Sequence, residues 1–299
     1  MSEKKIICKK MKINAEFFII AAAILWGTTG SAQAFAPESA SPVSVAAARG
    51  VIGGITLFLI ALFKGEFKTV HRMNKKLILI SAIFTASYQP LFFSGVSRTG
   101  IAFGTILAIG SAPLFAGVFD LLHGNKPPLK WFYATLISIL GCVLLFSGRD
   151  ALKFDSIGAL CSLGAGFTYA GYSTFSRKLF KVYSRTAVNG IVMGINALFL
   201  LPLLLLSDTA WLFTTNGLFV SLHLGLITTA LAYSLFAFGI PKLSAPKAVT
   251  LTLAEPLTAA TLGMIVFNER LSVISIMGMI LLLLGLLYNS LPELKKANT

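Results

Sequence analysis

The 299 residues are 56% hydrophobic and 12% charged, with a mean hydropathy of +0.83, whereas a soluble globular domain is roughly one-quarter charged. Apolar stretches of about twenty residues recur along nearly the whole chain, more than one soluble core absorbs, so the bilayer is their expected solvent. The formal charge of +14 sits in short segments between apolar runs, which argues against a nucleic-acid-binding face and for membrane topology.

A helix needs about 20 residues to cross a hydrocarbon core of about 30 Å. That ruler predicts ten spans, at residues 14–35, 43–63, 77–97, 101–122, 130–148, 156–176, 187–206, 217–239, 245–267 and 271–290. The first follows a basic segment and contains Ala32-Gln33-Ala34, a pattern that imitates a cleavable signal peptide. Its apolar run is longer than the usual ~7–15 residues of such a peptide, and the repeat described below needs it as a member. A retained first span is therefore expected.

Alternate connections differ sharply in Lys and Arg. One side holds twenty: Lys4, Lys5, Lys9, Lys10 and Lys12 before span 1, and Lys64, Lys68, Arg72, Lys75 and Lys76 after span 2. It continues with Lys126 and Lys130, then Arg177, Lys178, Lys181 and Arg185, then Lys242 and Lys247, and finally Lys295 and Lys296. The other side holds four, Arg98, Arg149, Lys153 and Arg270, while Arg49 lies inside span 2. The positive-inside rule then predicts a plasma (inner) membrane protein with both termini cytoplasmic.

Sliding the chain on itself by 142 to 144 residues aligns related segments. Leu91-Phe92-Phe93-Ser94-Gly95 of span 3 meets Leu235-Phe236-Ala237-Phe238-Gly239 of span 8, and Ala112-Pro113-Leu114 of span 4 meets Glu255-Pro256-Leu257 of span 9. Gly141 in span 5 pairs with Gly285 in span 10, and Gly50-x-x-x-Gly54 has a partner 140 residues on in Gly190-x-x-x-Gly194. Five spans per repeat is an odd number, so the second copy enters the membrane upside down. The expected fold is an all-α membrane protein of ten transmembrane helices in two inverted five-helix repeats. The paired glycines are expected to let helix backbones approach. Pro113 and Pro256 are corresponding interruptions, which in inverted-repeat carriers mark hinges near a midplane site, although a proline in a span also serves simply to set a packing kink.

These residues resemble the EamA type of the drug/metabolite transporter superfamily over nearly the whole chain, from Trp26-Gly27 to the Gly285 end of span 10. The most specific stretch runs from Glu255-Pro256-Leu257-Thr258-Ala259-Ala260 through Phe267-Asn268-Glu269-Arg270-Leu271-Ser272. Asn125 and Ala112 stand opposite Glu269 and Glu255, so the acidic pattern is clear in the second half alone. The resemblance implies domains at 14–148 and 156–290, with tails at 1–13 and 291–299. It also implies a carrier, often an exporter of amino acids, metabolites or drugs, that works without ATP.

Glu255 falls near the middle of its span, about 15 Å from either end, where an acid is costly and faces a cavity more often than lipid. Three roles are open to it: neutral hydrogen-bond donor, proton-coupling site, or anchor for a cationic group. A fourth is a purely structural tie between helices. Arg49 can snorkel, pair with Glu255 or grip a substrate carboxylate. The family often places an Arg there across different substrates, which favours a structural role. His223 is expected as a neutral packing residue. Trp26, Tyr88, Tyr169, Tyr172 and Tyr233 lie in spans 1, 3, 6 and 8, which line the central cavity in the resembled family, and Gln89 beside Pro90 is a further polar candidate. Aromatic rings with polar handles suit an amphipathic solute, although for any single one of them core packing is the better explanation.

Cys8, Cys142 and Cys161 form no CxxC pair and are expected to pack, with neither metal nor cofactor implied. The four Asp residues sit in loops or at span ends, and no HExxH or GxxxxGK[ST] occurs, which argues against an intramembrane enzyme or an ATP-driven pump. The expected partners are the lipid bilayer, a small-molecule substrate and possible coupled protons through Glu255. A channel or a non-transporting receptor is the alternative function.

Overall fold

A computed structural model of the chain describes residues 14–147 and 155–291. The expected tail at 1–13, all of the expected tail at 291–299 but Leu291, Gly148 at the end of the expected fifth span, the linker residues Arg149, Asp150 and Lys153, and Cys8 lie outside the described residues. Within them all regular structure is helical and no strand occurs.

The first span is interrupted. Helix α1 (Ala15–Gly27) ends at Thr28, whose hydroxyl donates back to the Leu25 carbonyl at 2.7 Å, and α2 (Thr29–Ala34) resumes beyond it. Helix α3 (Pro42–Phe63) starts with Pro42 in its first turn, where the missing N–H costs nothing, and with the Ser41 side chain accepting from the Ser44 N–H at 3.2 Å. Asn74 caps α4 (Lys75–Thr99) in the same way, and Gly100 at φ 86° separates it from α5 (Ile101–Leu122). Helix α6 (Leu129–Phe146) closes the first half.

The second half opens with α7 (Ser156–Val182), capped by Asp155, followed by α8 (Arg185–Leu205). The next span is composite: α9 (Thr215–Leu222), a π-helical segment over His223–Leu231, and α10 (Ala232–Gly239). The following one is broken at Thr252 and Leu253, between α11 (Ala245–Leu251) and α12 (Ala254–Val266), and α13 (Val273–Ser290) ends the described chain.

Among the described residues, nine helical stretches are long and apolar enough to cross a membrane. The sequence leads one to expect ten. The remaining helix, α7, has 27 residues, about 40 Å by the helical rise, but it is too polar to join the nine. The reason is its position. It packs against both α4 and α5, and Ser162, Thr168, Ser173, Thr174 and Ser176 are all buried within the protein. The bundle perimeter instead presents exposed Phe63, Leu122, Leu198, Ile274 and Leu287, as expected of a surface that meets acyl chains. The chain is a multi-pass membrane protein.

Helix association in lipid relies on close packing more than on a hydrophobic driving force. The pairs α3–α8, α4–α7 and α6–α13 make the most extensive contacts, followed by α5–α7, then α3 with the π-helical segment, and α1–α10. The first pair is built on the glycine motifs: a Cβ on Gly54 would lie 2.3 Å from the Met193 carbonyl oxygen, and one on Gly190 would lie 2.5 Å from the Ala61 Cβ. Gly141 and Gly278 bring the backbones of α6 and α13 together in the same manner.

Candidate functional site

The broken helices meet. Gly27, at the end of α1, presses against α12 so closely that an added Cβ would lie 2.7 Å from the Glu255 carbonyl oxygen and 2.6 Å from the Thr258 Cβ. On the other side of the contact, Pro256 lacks the N–H that would continue the helix. The chain responds with a tight turn: the Leu253 N–H donates to the Thr250 carbonyl at 3.1 Å and the Glu255 N–H to the Thr252 carbonyl at 2.9 Å. The Thr252 hydroxyl turns back to the Val249 carbonyl at 2.8 Å. The two interruptions thus satisfy much of their own backbone and leave a space beside them.

That space is a cavity of about 680 Å³, within the range of roughly 300–1,000 Å³ usual for small-molecule sites. Trp26, Arg49, Tyr88, Gln89, Tyr169, Tyr233, Glu255 and Pro256 line it. Its wall extends to Gln33, Ser97, Phe267 and Glu269, of which Ser97, Phe267 and Glu269 are exposed, so the cavity opens on that one face of the bundle. Trp26 forms the corner of an aromatic floor, with ring centroids 5.3 Å from Tyr233 and 6.1 Å from Tyr169, and Tyr88 lies 5.8 Å from Tyr169.

Two charged residues share this aromatic chamber. Arg49 is 9% exposed, so its guanidinium does not snorkel to the surface. It lies within electrostatic reach of Glu255, Tyr88 and Tyr233. Among the described residues, neither the Arg49 nor the Glu255 side chain makes a hydrogen bond or an ion pair with the protein. Desolvating charged groups is expensive unless a partner compensates, and here each has only the through-space field of the other to compensate it.

Two candidates fall elsewhere. Tyr172 is 1% exposed and does not line the cavity. It is three residues beyond Tyr169, about 4.5 Å along the helix, and its ring packs below the floor against Tyr233 at 5.6 Å and Phe236 at 6.1 Å. Pro113 lies in the unbroken helix α5 and also stays out of the lining. The wall also includes Thr29, Gln33, Thr105, Thr252 and Glu269, which sequence reasoning missed; the available signal was hydroxyl residues clustered beside Gly and Pro in otherwise apolar spans. His223 does more than pack. It is 2.9 Å from the Thr28 hydroxyl through Nε2, and because that hydroxyl spends its one proton on Leu25, the pattern assigns the donated proton to Nε2. The bond ties the π-helical segment to the break in the first span.

An apolar helical bundle that holds a one-sided, mid-depth chamber with polar anchors has the construction of a solute carrier. Comparison with known proteins gives the class a family. The chain belongs to the EamA-like transporter family, whose profile matches residues 13–147 and again 156–291. It is similar to the uncharacterized transporter YwfM of Bacillus subtilis, 43% identical and covering 93% of this chain and 94% of that one. The threonine/homoserine exporter RhtA of Escherichia coli is 28% identical, with 87% and 85% covered. A solved crystal structure of a protein with 20% identity shares the fold at a TM-score of 0.79, covering 92% of this chain and 96% of that one. The protein is a small-molecule membrane transporter.

Proposed function

We propose that the protein exports small zwitterionic metabolites of the amino-acid class by alternating access. The observation that carries this reading is the unpartnered Arg49 and Glu255 on one cavity wall. A guanidinium grips a carboxylate bidentately and a carboxylate holds an ammonium, so the pair matches the two ends of a zwitterion. The aromatic floor then receives the apolar part of the side chain. The name of RhtA, an exporter of threonine and homoserine, supports both the substrate class and the direction.

Ten crossings in two inverted repeats, with the cavity between them, complete the proposal. Several helix pairings support it. If the repeats are related by a two-fold axis in the membrane plane, α3 and α8 are equivalent, as are α6 and α13, and each such pair is in contact. The contact of α4 with α7 then corresponds to that of α10 with α1. With the basic side cytoplasmic, the cavity of this conformation faces outward, and Pro113 and Pro256 are equivalent hinge positions.

Counterflow in proteoliposomes tests the substrate class. Preloaded threonine exchanges with external neutral amino acids, while an N-acetyl amino acid and a decarboxylated amine compete poorly. Glu255→Gln and Arg49→Gln each weaken apparent affinity about ten- to a hundredfold, the size of one lost charge-assisted bond. Glu255→Gln leaves recognition of the N-acetyl analogue unchanged. Equal competition by all three compounds would sink the zwitterion reading. Glu255 is also the one acid available at depth for proton coupling, so flux driven by an imposed pH gradient disappears in the same variant.

A further inference from the structure

Below the aromatic floor the bundle is shut. Phe236, Ile240, Leu179 and Val188 are buried there, and the far face is tied by Glu16 to Lys247 at 2.9 Å and by the Asn289 amide to the Lys247 carbonyl at 3.2 Å. Yet this sealed half is not apolar throughout. The hydroxyls of Ser81, Tyr172, Ser173 and Ser176, and the amide oxygen of Asn189, are all buried without a hydrogen-bond partner. The five residues are no more than 2% exposed. The Tyr172 hydroxyl comes near Ser176 but misses hydrogen-bond geometry.

Thr29, Ser162 and Thr174 add three more unpartnered hydroxyls outside this set, whereas many other hydroxyls in the bundle behave differently. Thr99, Ser138, Thr228 and Ser234 each donate to the carbonyl four residues earlier, at 2.7 to 2.8 Å, the usual way to silence a hydroxyl inside a membrane helix. The groups of the set that lie on α4 and α7 are also ordered in space. On α7 they follow Tyr169 at positions 172, 173 and 176, one face of a helix. On α4, Ser81, Thr85 and Tyr88 form a matching stripe, and Thr85 lies beside Tyr233. Both stripes begin at the cavity wall. Because α4 and α7 run in opposite directions, both head for the same face, descending about 10 Å over seven residues. The α7 stripe ends at Arg177, whose Nε donates to the Leu243 carbonyl.

We propose that these two stripes are the inner half of the transport path, dry and closed in this conformation and lined with water when the far face opens. Unpartnered buried hydroxyls are rare in folded proteins, and here they form a polar track continuous with the cavity. They destabilise the closed inner half and gain partners in the open one, which lowers the difference between the two states. The residues that would otherwise be dismissed as packing faults on α4 and α7 become the groups a polar solute meets on its way through. The inference rests on the alternating-access reading but not on the identity of the substrate.

The test is thiol accessibility in a full-length variant whose three native cysteines are replaced by alanine. Ser81→Cys, Ser173→Cys and Ser176→Cys are compared with Ala82→Cys and Ala134→Cys, which are equally buried but off the track. The probe is a membrane-impermeant, positively charged methanethiosulfonate applied from the face carrying Lys178 and Lys181. The three track cysteines react at least about tenfold faster than the two controls, since thiol modification follows access, and Glu16→Gln raises their rates further. Track rates within about threefold of the controls, with Tyr88→Cys still reacting from the cavity side, overturn the path. Counterflow is measured on the same vesicles. Counterflow without track labelling removes the path and leaves the carrier, whereas labelling without counterflow leaves the path and removes the proposed substrate class.

Discussion

Two kinds of helix share this bundle, and they differ in what their small residues do. In α3, α8, α6 and α13, glycines and alanines bring backbones together along continuous helices, as at Gly54 against Met193 and Gly141 against Leu282. In the interrupted spans, α1 with α2, α9 through α10, and α11 with α12, small and hydroxyl residues sit where the helix breaks or widens, and the cavity forms there. Gly27 belongs to the second kind: it allows one broken helix to rest on another at Glu255. The continuous pairs form the frame, and the interruptions expose backbone and side-chain polarity inside it.

The sharpest way to break this contrast is to overfill the frame. Gly54→Leu drives a branched side chain into the Met193 carbonyl and the Ala197 Cβ. Overpacking usually costs about 1–3 kcal/mol and more where backbone stands in the way, so a loss at or above the top of that range is expected. Gly30→Ala is the matching change in an interrupted span, where nothing lies within 4 Å of the new Cβ. It stays within about 1 kcal/mol of the parent and on the stabilising side, because alanine restricts the unfolded chain. Thermal unfolding in detergent separates the two; equal midpoints would show that the frame is not rigid.

Much of the frame and part of the chamber were legible in the sequence. Twenty-residue apolar periods locate the spans, and each of the two Gly-x-x-x-Gly motifs packs against the helix that carries the other, α3 on α8. Arg49 and Glu255 stand out because charge inside an apolar run is costly. The breaks were harder. Nothing local distinguishes Thr28 from a helical threonine; its bond to His223, 195 residues away, is a tertiary fact. The π-helical segment depends in the same way on α3, where Gly53 approaches Thr229 and the Gly225 carbonyl. Tyr172 was misplaced because a sequence fixes the face of a helix far better than the depth at which a cavity stops.

A smaller effect is expected on the chamber wall. Trp26 touches Tyr169, Tyr233 and Phe236, and aromatic pairs of this kind are worth about 0.5–1.5 kcal/mol beyond burial. Trp26→Leu therefore weakens substrate exchange about two- to tenfold. The protein keeps its fold, because the floor retains the edge-to-face pair of Tyr233 and Tyr172. A change in stability as large as that of Gly54→Leu would move Trp26 from the chamber into the frame and blur the distinction between them.

The smallest effect concerns the far face. Glu16 on α1 and Lys247 on α11 are each 22% exposed, and an exposed ion pair contributes about 0.2–1 kcal/mol. Both residues sit at the starts of interrupted spans, so the pair holds movable elements to one another and stabilises one conformation over the other by no more than that amount. Glu16→Gln and Lys247→Gln should each change the exchange rate by up to about fivefold, and the double variant by the same factor, not its square. Raising the ionic strength reproduces part of the change in the parent and none of it in the variants, since screening acts on a charge pair that only the parent retains. Additive single effects, or an unaltered salt response, would mean that the bridge decorates the closed face without holding it. Closure would then rest on the packing of Leu179, Phe236 and Ile240 alone, and the sealed half would belong with the frame.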